Sequence, residues 1–339
     1  MLLLAPSLNP TLGPWLAEEL SAVSRLLEAE LVSDLDCVND LVGHVEAYRG
    51  KMLRPMLVLV GGLAASAVHK PLDESGPRPQ SLPHRKLATV VEMVHLATLV
   101  HDDVLDEAEV RRGRRTLNVL RGNEAAVILG DYLISHAFRL CSSLERPWIA
   151  EAVAQTTNTV CEGELLQLAN RDNWALSEAT YLEIVQRKTA SLCGVCCELA
   201  ARLEDAPEQV VTALGSYGRD VGVAFQITDD LLDLLGDEGA VGKSLGRDLL
   251  KGKLTLPMIH ALARDGAQRE AVAAACGQDG EPTMGRLQQL LESSGSLAYA
   301  RQMSQQLIDR AKVALAALPA SPARTALEDM ADTVLTRQL

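Results

Sequence analysis

The sequence predicts an all-α fold. Nearly every apolar segment of the 339-residue chain recurs with a period near 3.6, while alternating, β-branched strand candidates are scarce. A hydrophobic content of 47% is ample for a packed core. No period of 20–50 residues repeats, which argues against a solenoid. In chain order, the helical pattern covers residues 15–33, 35–48 and 52–68. It stops at Lys70–Pro83, a stretch rich in Pro, Ser and Gly that reads as an exposed loop too short to separate domains. Helices then follow at 84–107, 122–143, 147–169, 178–204 and 207–236. A second break, rich in Gly and charge, runs from Gly236 to Gly252, and helical runs resume at 252–264, 283–293, 296–317 and 320–336. The expectation is one helical-bundle domain spanning 1–339.

Bulk properties exclude several functions. A net charge of −13 is the opposite of the basic footprint that nucleic-acid binding requires. Seven cysteines without secretory context point to the reducing cytoplasm. Met1-Leu2-Leu3-Leu4-Ala5 lacks a basic start and meets Pro6 at once, so it does not read as a signal peptide. No run reaches the roughly 18 apolar residues of a membrane span. Cys193-x-x-Cys196, followed by Cys197, has no second pair or nearby His, and reads as buried small hydrophobes on a helix.

Chemistry concentrates in two acidic clusters. Asp102-Asp103-Val104-Leu105-Asp106 and Asp229-Asp230-Leu231-Leu232-Asp233 repeat one D-D-x-x-D pattern 127 positions apart. Both sit inside apolar, helix-patterned runs, where carboxylates are costly unless something compensates their desolvation. On a helix, Asp102 and Asp106 share a face one turn apart, as do Asp229 and Asp233, so like charges repel unless a cation sits between them. Hard oxygen ligands of this kind suit Mg²⁺ shared with substrate phosphates. A single cluster would equally fit a solvated helix face; the repetition favours the metal. Cations supply the complement. Arg111 and Arg112 lie in the polar turn Arg111–Arg115, where a run of this kind also fits a solvated patch. Lys51 and Arg54 stand three apart at a loop-to-helix start, Lys188 sits on an apolar helix, and Lys243 and Lys253 flank the Gly-rich break. His95, seven residues before Asp102, fits either a core position or a ligand.

Together these motifs resemble the trans-isoprenyl diphosphate synthases, or polyprenyl synthetase family. The ordered match runs from Gly50 to Pro257. It comprises Gly50-Lys51-x-x-Arg54-Pro55, Glu92-x-x-His95, His101-Asp102-Asp103-x-x-Asp106, Arg111-Arg112-Gly113 and Gly130-Asp131. Gly163-Glu164-x-x-Gln167, Lys188-Thr189-Ala190 and Phe225-Gln226-x-x-Asp229-Asp230-x-x-Asp233 continue it, before Gly242-Lys243 and Gly252-Lys253-x-Thr255-x-Pro257. The resemblance implies a helical bundle of the isoprenoid synthase type with a central catalytic cavity. It implies a cytoplasmic homodimer that extends an allylic diphosphate with isopentenyl diphosphate, using three Mg²⁺ ions when substrate is bound. Carried over residue by residue, Asp102, Asp106 and Asp229 become the strongest metal ligands, with Asp103, Asp230 and Asp233 supporting them. Lys51, Arg54, His95 and Arg112 become the isopentenyl diphosphate site. Arg111, Lys188, Thr189, Gln226 and Lys243 become the allylic site, assisted by Lys253.

In similar enzymes, bulky aromatics four or five residues before the first aspartate stop chain growth early. Here Thr98 and Ala97 occupy those positions, with Met93 and Val94 one turn further back, so the expected product exceeds farnesyl diphosphate. Close helix packing is the competing reason for Ala97. Arg49 and Arg115 depart from the usual glycine and proline beside the motifs. A class I terpene cyclase is disfavoured by the intact second D-D-x-x-D and by only 3% aromatic residues. A non-catalytic subunit of a heteromeric synthase is disfavoured because none of the charged site residues is lost.

Overall fold

A computed structural model describes residues 12–46, 48–69, 81–235, 246–264, 266–277 and 283–336. The chain is all-α as expected, and among the described residues the sheet structure is one two-stranded hairpin. Two compact units are present. The first combines the chain up to Thr157 with Leu192–Gly218 and Ala314–Met330. The second combines Asn158–Ser191, Arg219–Val313 and the chain from Ala331 onward.

In the first unit, α1 (Leu12–Leu31) buries Leu16, Leu20, Val23, Leu27 and Leu31, a three- and four-residue spacing that forms one apolar stripe. α2 (Asp36–Glu46) follows. α3 (Leu53–Ser66) is buried without interruption from Pro55 to Ala65, and α4 (Leu82–Leu105) from Leu87 to Val94. Helices apolar on all sides belong in a core. Accordingly α4 packs against α1, α3 and α6 (Asn123–Ser142). A short α5 (Leu117–Arg121) packs on α6. From Leu192 on, α9 (Ser191–Leu203) joins this core. Its Cys193, Cys196 and Cys197 are unbridged buried thiols, burial raising the pKa of Cys193 and Cys196, and all three act as small hydrophobes. A charge also enters this core: Glu19 is 1% exposed and accepts from Nε and Nη2 of Arg85, at 2.8 Å and 2.8 Å.

In the second unit, the end of α7 (Pro147–Ala169), α8 (Glu178–Val185) and α10 (Glu208–Leu235) from Arg219 onward are joined by shorter helices. Ser177 caps α8, its hydroxyl accepting the Thr180 N–H at 3.1 Å, which satisfies an otherwise orphaned donor. The helix Leu256–Leu262 packs against α8 and against Ala267–Ala275 and Met284–Ser293. Ser296–Ala314 belongs to this unit up to Val313, whereas Pro322–Leu335 belongs to the first unit up to Met330.

Four expectations are corrected. Residues 70–80 of the expected loop lie outside the described residues, but Leu82 and Pro83 already belong to α4, because proline's missing N–H costs nothing in a helix's first turn. The polar turn at Arg111–Arg115 is a hairpin, β1 (Val110–Arg111) pairing with β2 (Arg114–Arg115). Its central Arg112 and Gly113 both have positive φ, 52° and 74°, as a two-residue hairpin loop demands. The run 178–204 is interrupted by a π-helical turn, Gln186–Ala190. Ala267–Ala275, outside the expected helical runs, is helical and buries Val272 and Ala275, three residues apart on one face.

Replacing Glu19 with Ala strands the Arg85 guanidinium at the edge of the core. The expected loss is about 2 kcal/mol, less than for a wholly buried pair because Arg85 keeps some water. Urea denaturation of the variant at constant salt reads it directly; an unchanged midpoint would remove this pair from the stabilising contacts.

Candidate functional site

The first acidic cluster occupies the C-terminal end of α4. Asp102 and Asp103 lie in its last turn, and Asp106 caps it, its N–H bonded to the Asp102 carbonyl at 2.8 Å. Carbonyl dipoles make a helix C-terminus negative, so carboxylates here face repulsion from the backbone as well as from each other. Arg111 answers the charge of the buried member. Asp103 is 1% exposed and accepts on one oxygen from Nε (2.9 Å) and Nη2 (2.8 Å) of Arg111. Asp102 and Asp106 are partly exposed. The hairpin therefore serves to bring Arg111 back over the helix end, where it also lies 5.8 Å from the Tyr48 ring centre.

A cationic group belongs to the same unit. Desolvation, with the Arg54, Arg111 and Arg112 guanidiniums, holds His95 well below the ordinary histidine pKa, so its ring is neutral at neutral pH. Glu92, 2% exposed, is pushed up by burial and pulled down by Arg54, Arg49 and Arg112. A neutral imidazole beside three guanidiniums suits an anion. Gly50 creates room here: a Cβ on it would lie 2.2 Å from Nη2 of Arg112. Lys51 is exposed, just before α3. Below this end of α4, Met93, Val94 and Ala97 are fully buried, while Thr98 is partly exposed and donates its hydroxyl to the His95 carbonyl at 2.7 Å.

The second cluster sits in the last two described turns of α10. Burial follows the same order as in the first: Asp230 is 4% exposed, Asp229 and Asp233 partly exposed. Asp230 accepts from the Tyr181 hydroxyl (2.6 Å) on one oxygen and from the Gln226 amide nitrogen (2.9 Å) on the other. The amide oxygen of Gln226 in turn accepts from the Thr189 hydroxyl at 3.0 Å. Burial raises Asp230, with Asp248 and Asp229 adding to it, and raises the Tyr181 phenol, which stays protonated. Asp233 turns its carboxylate to the backbone, accepting N–H groups of Arg247 and Asp248 at 3.2 Å each. It thereby holds the start of the short helix Arg247–Leu250.

Lys188 and Thr189 lie within the π turn. Lys188 donates to Gln167 at 3.0 Å and pairs with Glu164, both on α7. Gly163 permits that approach: a Cβ there would meet Arg187 Cβ at 2.7 Å and the Lys188 backbone nitrogen at 2.8 Å. An extra residue in the turn is the usual cost of such local accommodation. Lys253 is 9% exposed, and its N–H bonds to the Asp248 carbonyl at 2.9 Å. Lys243 lies outside the described residues.

The two units thus collect the sequence candidates into two groups. Asp102, Asp103, Asp106, Lys51, Arg54, His95, Arg111, Arg112 and the residues Met93, Val94, Ala97 and Thr98 belong to the first. Asp229, Asp230, Asp233, Lys188, Thr189, Gln226 and Lys253 belong to the second. Sequence reasoning gave no role to Tyr181, whose ring is hidden in the apolar run of α8. Glu164 and Gln167 were quoted only as a motif, although their three-residue spacing on α7 puts both within reach of one lysine. Among the described residues, no group of three or more His, Cys, Asp or Glu forms a protein-only metal cage. The donors on offer are part-exposed carboxylate oxygens in ones and twos, the set Mg²⁺ uses when phosphates and water complete its shell.

Comparison with known proteins agrees with this chemistry. The family described as Polyprenyl synthetase matches residues 36–293. The chain is 33% identical over 323 residues to octaprenyl diphosphate synthase of Escherichia coli (strain K12), covering 95% of this chain and 96% of that one. It is 34% identical over 317 residues to heptaprenyl diphosphate synthase component 2 of Geobacillus stearothermophilus, covering 94% and 95%. A crystal structure of polyprenyl synthase from Caulobacter crescentus CB15, complexed with calcium and isoprenyl diphosphate, superposes with a TM-score of 0.86. It is 33% identical, with 96% and 98% of the two chains covered.

The Gly163 contact makes a specific demand. Gly163→Ala forces a methyl into the backbone of the π turn, at an expected cost of about 2 kcal/mol. Its thermal melting midpoint should fall by several degrees; retention of the wild-type midpoint would mean that α7 and the π turn can separate freely.

Proposed function

The chain belongs to the polyprenyl synthetase family, and from that premise we propose that it extends an allylic diphosphate with isopentenyl diphosphate to a linear trans-polyprenyl diphosphate. The observation that carries this reading is the recurrence of a part-exposed carboxylate pair at two helix ends, the first beside Arg111 and the second one turn from Gln226, which accepts from Thr189, the chain neighbour of Lys188. In this reading Asp102, Asp106 and Asp229 hold Mg²⁺, with Asp103 and Asp233 supporting; three ions accompany bound substrate. Bound magnesium would neutralise diphosphate and make it a competent leaving group.

The chain's own side chains do the rest. Lys51, Arg54, His95 and Arg112 hold the diphosphate of isopentenyl diphosphate, which is neither formed nor lost. His95 acts there as a neutral hydrogen-bond donor, not as a proton shuttle. Arg111, Lys188, Thr189 and Gln226 hold the allylic diphosphate, with Lys243 and Lys253 assisting. The allylic C–O bond breaks, the electron pair leaves with diphosphate, and the double bond of isopentenyl diphosphate attacks the resulting carbon. One proton is then lost, with the released diphosphate a sufficient base. Aliphatic walls exclude the water that would quench the cation.

A product longer than farnesyl diphosphate follows from small Ala97 and Thr98 and from the names of the similar synthases. The chain is proposed to act in the cytoplasm as a homodimer; its seven cysteines are all unbridged thiols. The similarity to a component 2 of a heptaprenyl synthase motivates a second reading, a subunit needing a different partner. Purified protein alone, given farnesyl diphosphate, isopentenyl diphosphate and Mg²⁺, should release elongated linear diphosphates. Turnover appearing only after a second polypeptide is added would establish the heteromeric reading, and a cyclic hydrocarbon would overturn both.

Asp102→Ala and Asp229→Ala should each lower kcat by at least ~100-fold, the scale of losing one charge-stabilising group; a loss of only a few-fold would exclude the residue as a ligand. Ala97→Tyr should shorten the product ladder in a radiolabelled assay. An unchanged ladder would discard the chain-length role of this position.

A further inference from the structure

A buried chain of hydrogen bonds runs from α8 to the π turn and begins at a residue with no assigned role. We propose that Tyr181 is a positioning residue that sets the orientation of Gln226 toward the allylic diphosphate, with Thr189 anchoring the amide from its other side. This inference rests on the prenyltransferase reading of the site.

The hydrogen-bond chemistry fixes every direction in the chain. The Gln226 group facing Asp230 is the NH₂, which donates to one carboxylate oxygen from 2.9 Å. The amide oxygen then faces Thr189, whose hydroxyl must donate to it at 3.0 Å. With its proton committed, Thr189 is left with lone pairs, and Gln226 is left with one N–H to offer a ligand oxygen. What keeps that second N–H available is Tyr181: its hydroxyl occupies the other Asp230 oxygen at 2.6 Å. All members are held by fixed elements, Tyr181 by α8, Thr189 by the π turn, Gln226 and Asp230 by one turn of α10. Tyr181 is 5% and Asp230 4% exposed, so water is a poor substitute for the phenol. Without it, the bare carboxylate oxygen draws both N–H groups of Gln226, the amide rotates, and Thr189 loses its acceptor. The same geometry makes Asp230 a member of the scaffold, its two oxygens already engaged.

The test is steady-state kinetics of Tyr181→Phe, Thr189→Val and the double variant, with wild type in parallel. Tyr181→Phe should raise KM for farnesyl diphosphate by ~10-fold, the effect of losing one hydrogen bond to a charged group. KM for isopentenyl diphosphate should stay within ~2-fold on the same reasoning. The double variant should match Thr189→Val alone, because both act on one relay. Equal movement of the two KM values, no movement of either, or multiplying effects would overturn the proposal while leaving the functional reading intact. An inactive wild type would instead overturn the functional reading, and this inference with it. Should Phe at 181 prevent folding, Gln226→Leu breaks the relay at its centre and must give the same selective rise.

Discussion

Carboxylates at the C-terminal end of a helix are the constraint to which this molecule is built. At the end of α4 and again at the end of α10, three aspartates are crowded where backbone carbonyl dipoles already concentrate negative potential. Each cluster buries one aspartate, Asp103 against Arg111 and Asp230 against Tyr181 and Gln226, while its outer pair is partly exposed. The folded chain is therefore prepared to gain free energy from a divalent cation, and a cation held this way gains most when a phosphate completes its coordination. On the proposed reading, metal, diphosphate and protein depend on one another, and that dependence couples binding to bond cleavage.

The two clusters solve the internal part by different chemistry. In the first, a permanent cation, Arg111, is returned by a tight hairpin to Asp103. In the second, two neutral donors from α8 and α10 surround Asp230. A guanidinium leaves little net charge at the first buried position, whereas phenol and amide only solvate the second. Asp233 contributes a third solution, serving the backbone amides of a helix start. One short motif, used twice, thus carries unlike structural duties at equivalent positions.

Much of this was legible in the sequence. The 3.6 period located the long helices, and carboxylates interrupting apolar runs located both clusters. Ordered basic motifs supplied their complement. What escaped has common physical causes. The π turn at Gln186–Ala190 lies against α7 at Gly163, a tertiary approach that leaves no trace in local periodicity. Arg112-Gly113 lacks the asparagine that usually announces a two-residue hairpin loop. Tyr181 reads as one more apolar residue of α8, because its hydroxyl acquires meaning only when α10 brings Asp230 to it. The bonds of Asp233 to the Arg247 and Asp248 amides escaped because those partners lie 14 and 15 residues onward.

Calorimetric titration with a non-ionising allylic thiodiphosphate, with and without Mg²⁺, is the most direct examination of this dependence. The account predicts tight binding only when the metal is present, and its loss in Asp102→Asn and in Asp229→Asn. Equal affinity in the presence of a chelator would contradict it, because the aspartates would then have no cation to share.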